Sequence, residues 1–208
     1  MRVTEVDALV REAAFGLLLA RARPVSLAQL GEALGISVES LEAVVGRLTA
    51  GGLVDRDASG AVVGAQGLTL VPGRHALALG GAAFATWCAY DAIGIPAALG
   101  ESARITTHCG VCGKELVVPI DAGQPPLAST ELVWLPDGGE NLRADFCDPG
   151  VLLCGAEHAR TWAARTGPGR AISLRDAAAL GAVAWADAAL AAGRAGRGNA
   201  TVAPEKGV

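Results

Sequence analysis

Cys88 and Asp91 lie three residues apart in the stretch FATWCAYDAIGIPAALG, residues 84–100. An ionised thiol is a nucleophile and a soft-metal ligand, and a carboxylate can take up a proton and return it. Residues three apart on a helix share a face, so the two could act together if a second thiol arrived from elsewhere. Cys147, in RADFCDPG, is the candidate, because a polar, turn-rich connection predicts access. The plainer alternative makes Cys88 a small buried hydrophobe and Asp91 a satisfied polar group or helix cap.

HCGVCG carries Cys109 and Cys112 in Cys-x-x-Cys spacing, with Gly110 and Gly113 to turn the chain. Such a knuckle can hold a thiophilic metal or form a redox pair. A structural zinc would need two more ligands, which Cys147 and Cys154 could supply, with His108 or His158 as substitutes. If Cys147 is engaged in chemistry, Cys109, Cys112 and Cys154 remain as a three-thiol metal set. His75, His108 and His158 lack regular metal-site spacing and read as structural.

The elements that must position these groups are legible in outline. VTEVDALVREAAFGLLLAR has apolar residues at helical spacing, and two short amphipathic helices follow, opened by Ser26 and Ser37. Gln29 stands at the capping-box position relative to Ser26. VDRDASGAVVG then reads as strand, turn and strand, so residues 1–65 form a winged-helix-like module. Its candidate recognition helix, residues 39–50, has Arg47 as its one basic residue against Glu39 and Glu42, which argues for packing rather than DNA reading.

Residues 66–192 read as a mixed core with a mostly antiparallel sheet and flanking helices, an α+β fold. GLTLVPGRHALAL supplies a strand or two, and AAFATWCAYDAIGIPAAL a helix that breaks at Pro96. ARITTHC and KELVVPI form a strand pair, and STELVWLP and VLLCG further strands, separated by the long connection DGGENLRADFCDPG. AEHARTWAARTG and SLRDAAALGAVAWADAALAAG are helical, the second capped by Ser173. Residues 193–208 have too few apolar groups to pack and predict a disordered tail.

The 208 residues carry a net charge of −4 with acids and bases interspersed, which removes the electrostatic case for a nucleic-acid binder. Neither a signal peptide nor a clean membrane span is read in the sequence, so a cytoplasmic protein without membrane contact is expected. In that compartment an odd count of five cysteines points to reduced thiols or metal ligands.

Taken in order, ATWCAYDAIGIPAALG, ARITTHC, ADFCDPGVLLC, EHARTWAA and ISLRDAAALG resemble the alkylmercury lyase (organomercurial lyase) family. The likeness includes the N-terminal winged-helix-like region and covers nearly everything before the tail. In that family two cysteines and one aspartate cleave the carbon–mercury bond. The resemblance implies that Cys88 is the first cysteine, Asp91 the aspartate and Cys147 the second, all three meeting mercury. It matches Cys109 to a structural cysteine. Asp148 stands where well-studied members carry another, dispensable cysteine, and Cys112 and Cys154 are additions to the familiar pattern.

The implied reaction suits the residue types. Organomercurials are soft and prefer thiolates. Two thiolates would raise electron density on the mercury-bound carbon, while Asp91 accepts a thiol proton and then delivers it to carbon. Trp87, Tyr90 and Ile93 would provide an apolar setting that raises the carboxylate's proton affinity. A hydrocarbon and thiolate-bound Hg(II) result, the metal passing to small thiols or a mercuric reductase, with no organic cofactor. Two alternatives stay open at this point: a cysteine-based metal-binding or sensing protein built on HCGVCG, and a diverged thiol-dependent biosynthetic enzyme on the same scaffold.

Overall fold

Side-chain caps start the first three helices. In the computed structural model, which describes residues 4–199, Thr4 and Asp7 exchange backbone-to-side-chain hydrogen bonds at the head of α1 (Glu5–Arg21). Ser26 and Gln29 form the predicted reciprocal pair ahead of α2 (Leu27–Leu34), and Ser37 caps α3 (Val38–Ala50). Arg47 of α3 reaches the buried Asp7 carboxylate at 2.5 Å, tying α3 to the start of α1. β1 (Val54–Arg56) and β2 (Val62–Ala65) follow, and their turn is closed by Asp57, whose carboxylate accepts from the N–H groups of Ser59 and Ala61.

The hairpin does not stand apart from the remaining strands. β3 (Leu68–Thr69), β4 (His75–Leu79), β5 (Ala82–Thr86), β6 (Ala103–His108) and β7 (Glu115–Ile120) extend it into a seven-stranded sheet of order β1-β2-β3-β5-β4-β6-β7. Every neighbouring pair in it is antiparallel. The boundary expected at residue 65 thus falls inside one sheet. Burial alternates strictly along β4 and β7, as in a sheet with one face on the core. β8 (Leu132–Pro136) sits between β10 (Gly169–Ser173) and β9 (Leu152–Leu153) in a second, three-stranded antiparallel sheet.

Four more helices flank these sheets: α4 (Ala89–Leu99), α5 (Ala156–Ala163), α6 (Leu174–Ala184) and α7 (Ala186–Asn199). α4 and α6 cross with almost no space between backbones. A Cβ on Gly181 would lie 2.2 Å from the Gly94 Cα. α1 and α7 approach similarly, since a Cβ on Gly16 would lie 3.2 Å from the backbone of Ala191 and Ala192.

Three local expectations are corrected. Residues 82–86 are a strand, not the first turn of a helix, because Leu77 pairs with Phe84 and Leu68 with Thr86 on either side. The two-residue turn Gly80–Gly81, both at positive φ, closes that hairpin. Pro96 lies within α4 without ending it; buried Ile93, Ile95 and the crossing at Gly94 hold the helix in place. The final helical stretch divides at Trp185, and α7 continues through Asn199, so the tail expected from residue 193 does not begin there. Ala191 and Ala192, inside the expected helix, pack against α1 at Gly16. Residues 200–208 of the expected tail lie outside the described residues.

Candidate active site

The change from β5 to α4 sets the first two groups. Cys88 is the N-cap residue of α4, in extended conformation (φ −146°, ψ 174°), and Asp91 is the third residue of the helix. The pair therefore meets across a helix start rather than along a helix face. Asp91 Oδ2 accepts the Cys88 backbone N–H at 2.9 Å, satisfying a donor that helix geometry leaves free. Both readings of Asp91 hold at once: it is a cap, and it lies beside the thiol. Cys88 is fully buried, and Asp91 is 5 % exposed.

Cys147 arrives from the long connection, which contains a structured element. Leu142–Cys147 forms a π-helical turn, capped by Asn141 Oδ1, which accepts from the N–H groups of Arg143 and Ala144. The Asp148 N–H donates to the Arg143 carbonyl at 2.8 Å, the wide spacing that defines such a turn. Cys147 is buried, where a polar connection predicted access, although it borders a cleft of about 700 Å³ shared with Trp87, Arg143, Asp148 and His75. One sulfur or carboxylate oxygen from each of Cys88, Asp91 and Cys147 lies within 4.8 Å of the others.

Two glycines make this meeting sterically feasible. Gly150 faces Cys88; a Cβ there would stand 3.0 Å from the Cys88 Cβ, and the Gly150 carbonyl accepts the Ala89 N–H at 2.9 Å. Gly67, at φ +87°, faces the carboxylate, where a Cβ would lie 2.5 Å from Asp91 Cγ. The backbone of the Gln66–Gly67 turn is held by the Trp185 indole N–H on the Gln66 carbonyl (2.7 Å) and by the Trp87 N–H on the Gly67 carbonyl (2.9 Å). Neither glycine stands out in sequence, because the site group each one faces, Cys88 for Gly150 and Asp91 for Gly67, is remote along the chain.

A polar cluster closes the other side. Asp55 accepts the Trp87 indole N–H at 2.8 Å and the Arg143 guanidinium at 2.5 Å, and that guanidinium lies 3.7 Å from the Trp87 ring centroid. Nothing in its sequence surroundings marks Arg143 as part of this cluster. Tyr90 packs in turn against Phe146, edge-on at 6.1 Å, and against Trp185 at 5.2 Å.

Burial dominates the protonation of the site. It pushes the Asp91 carboxyl up to about 7, against the lowering pull of its hydrogen bonds to Cys88 and of the Arg143 charge. Burial also raises the Cys88 thiol well above its ordinary range, reinforced by its hydrogen bond with Cys147 and by the nearby Asp91 charge. Cys88 thus holds its proton until something stabilises the thiolate, and the carboxyl beside it exchanges protons near neutrality. A soft metal ion is the agent that supplies such stabilisation.

The other cysteines form a separate group. Cys109, Cys112, Cys154 and His158 place one ligand atom each within 4.8 Å of one another. Cys147 does not join them, so the four-cysteine set that combined it with HCGVCG is not formed. Burial raises the Cys109 thiol, but the N–H groups of Cys112, Val111 and Cys154 outweigh it and bring the thiol to about 6. His108 is exposed, and His75 is buried against the Thr107 hydroxyl at 2.8 Å, where desolvation lowers it to about 3 and keeps it neutral.

The chain as a whole is similar to known proteins. A family model described as alkylmercury lyase matches residues 68–186. An alkylmercury lyase of Pseudomonas putida is 33% identical over 155 residues, covering 73% of this chain and 71% of its own. One from Bacillus cereus is 28% identical over 169 residues, covering 79% and 75%. Among solved structures, the mercury-bound form of MerB2 superposes with a TM-score of 0.75 at 20% identity, covering 89% of this chain and 98% of that one, which establishes a common fold.

Proposed function

The chain belongs to the alkylmercury lyase family, and from that premise we propose that Cys88, Asp91 and Cys147 are its catalytic residues. The protein is an enzyme that cleaves the carbon–mercury bond of organomercurials. The observation that carries the residue assignment is the convergence of two thiols and one carboxyl, from the head of α4 and the end of the π-helical turn, within 4.8 Å in a buried setting.

The chemistry follows from the protonation states. An organomercury cation entering from the cleft beside Trp87 and Arg143 binds the Cys88 sulfur, and the thiol proton passes to Asp91. Cys147 adds as a second thiolate and its proton leaves to solvent. The bond pair between mercury and carbon then takes the proton held on Asp91, forming the new carbon–hydrogen bond. Two thiols and one organomercury cation thus yield a hydrocarbon, a dithiolate Hg(II) complex and one released proton, with no change in oxidation state. Burial serves the last step, because a carboxyl near pKa 7 retains its proton until carbon needs it. Small thiols or a mercuric reductase would then remove the metal, consistent with the exchange chemistry of thiolates.

Residues 1–65 serve as a winged-helix-like packing module in this reading, and 66–192 as the catalytic core. Arg47, the basic residue of the helix that would read DNA, is engaged by Asp7, and Glu42 of the same helix pairs with Arg56. No described helix is long and apolar enough to cross a membrane, consistent with a cytoplasmic enzyme.

The test is release of benzene from phenylmercury by the reduced protein with excess small thiol, beside the Cys88→Ala variant. Turnover that vanishes in the variant supports the assignment. Release unchanged without the Cys88 sulfur would overturn it.

A further inference from the structure

Cys109, Cys112, Cys154 and His158 take no part in the mechanism above, yet they converge from two distant pieces of chain. The first pair sits on the β6–β7 hairpin. The Cys109 N–H donates to the Lys114 carbonyl at 2.8 Å and the Gly113 N–H to the Cys109 carbonyl at 3.0 Å, with Gly113 at φ +69°. This folds Cys-x-x-Cys-Gly into a knuckle whose two sulfurs face the same way. The second pair sits where β9 gives way to α5: Cys154 follows the strand directly, and His158 lies in the first turn of the helix.

The spacing within the group is that of a tetrahedral metal shell. Zinc–sulfur bonds of about 2.3 Å and zinc–nitrogen bonds of about 2.0 Å require sulfur–sulfur edges near 3.8 Å and sulfur–nitrogen edges near 3.5 Å. Cys112 Sγ and Cys154 Sγ are 3.7 Å apart, and Cys109 Sγ and His158 Nδ1 are 3.3 Å apart. A disulfide would need sulfurs at about 2.05 Å, so the cysteines stand as free thiols. Three thiolates and an imidazole, with no oxygen donor, select a borderline-soft ion over calcium or magnesium. Four protein ligands leave no open coordination position, which marks a structural site rather than a catalytic one.

We propose that Cys109, Cys112, Cys154 and His158 bind a structural zinc ion that clasps the β6–β7 hairpin to the start of α5. The clasp stands independently of the lyase reading, but it bears on the active site. Cys154 is seven residues beyond Cys147. The segment between them is gripped by the same parts: the Gly110 N–H donates to the Leu152 carbonyl at 3.0 Å, and the Trp162 indole N–H of α5 donates to the Pro149 carbonyl at 3.1 Å. Zinc therefore fixes both the hairpin and the helix between which the chain carrying Cys147 and Gly150 runs back to Cys88.

The test measures metal, not activity. The full chain, purified under reducing conditions without chelator, is assayed for zinc by mass spectrometry, and the metal-free protein is titrated with cobalt(II). Stoichiometric zinc is expected, together with the visible ligand-field and thiolate charge-transfer bands of tetrahedral cobalt. Cys112→Ser, at an exposed position, and His158→Ala should lose them. His158→Cys should retain the metal with a shifted spectrum, and Cys88→Ala and Cys147→Ala should retain it unchanged. Protein that contains no zinc and develops no cobalt band would overturn the proposal. So would bands that survive Cys112→Ser but vanish in Cys147→Ala, or a native disulfide between Cys112 and Cys154.

Discussion

The backbone N–H of Cys88 donates to the Asp91 carboxylate across 2.9 Å, so one hydrogen bond both starts α4 and places the carboxyl beside the thiol. A cap is a rigid device, because its partners are set by the first helical turn. The carboxyl proposed to carry the proton is thereby anchored by the helix start itself.

Substitution should separate the two thiols from the scaffold. Cys88→Ala and Cys147→Ala are each expected to bring benzene release from phenylmercury down to background, while stability falls by only about 1 kcal/mol for a small buried group. Activity assays beside thermal melts check both halves. A variant that loses activity only because it melts below the assay temperature would contradict this expectation.

Asp91→Asn keeps an oxygen to accept the Cys88 N–H but cannot carry the proton. Mercury binding should persist, with protonolysis slowed by about 10²–10⁴-fold, the usual worth of a positioned acid–base group. Single-turnover hydrocarbon release, measured against mercury bound, distinguishes the two steps.

The same residue makes stability depend on pH. Unfolded, the carboxyl ionises near 3.9; folded, burial holds it to about 7. The native state therefore keeps a proton that the unfolded chain releases, and stability from this group falls as pH rises between those values, levelling above the folded pKa. Asp91→Asn should remove that slope and gain up to ~4 kcal/mol relative to the parent at pH 8. Denaturant midpoints at pH 5 and pH 8 test the sign.

Arg143 lowers the Asp91 carboxyl through its charge while stacking over Trp87 and pairing with Asp55. Arg143→Met retains bulk and removes the charge, so Asp91 should ionise at higher pH than in the parent. The infrared carboxylate band followed through a titration reports the shift directly.

Gly67→Ala would combine a positive φ with a Cβ 2.5 Å from Asp91 Cγ. Strain of about 1–3 kcal/mol is expected from the backbone alone, and displacement of the carboxyl should impair protonolysis as well. Gly60→Ala, also at positive φ but against the flexible end of Arg56, should cost stability without touching turnover.

Much of the architecture is legible in sequence because it is local. The Ser26–Gln29 capping box, the apolar periodicity of α1 and the β-branched alternation of β6 and β7 each reside within a few residues, so their signals survive without tertiary context. The residue types that meet as Cys88, Asp91 and Cys147 are visible for the same reason. Where strand pairing or burial against a neighbouring element fixes the conformation, local preference misleads. Alanine-rich AAFAT looks helical, but it is a strand because β3 and β4 occupy both its edges. Pro96 marks a helix end by propensity, whereas burial of α4 against α6 carries the helix past it.

What the sequence alone determined was the chemistry at hand: five thiols, a carboxylate three residues from one of them, and a Cys-x-x-Cys knuckle. Only the tertiary structure decided how they divide. It joins Cys147 to Cys88 and Asp91 and leaves Cys154 with Cys109, Cys112 and His158, although Cys147 and Cys154 are close neighbours in the chain. The reason is that ligand sets are defined by distances of a few ångströms. Those distances depend on contacts between remote segments, here Gly150 against Cys88 and Gly110 against Leu152, which no spacing along the chain encodes.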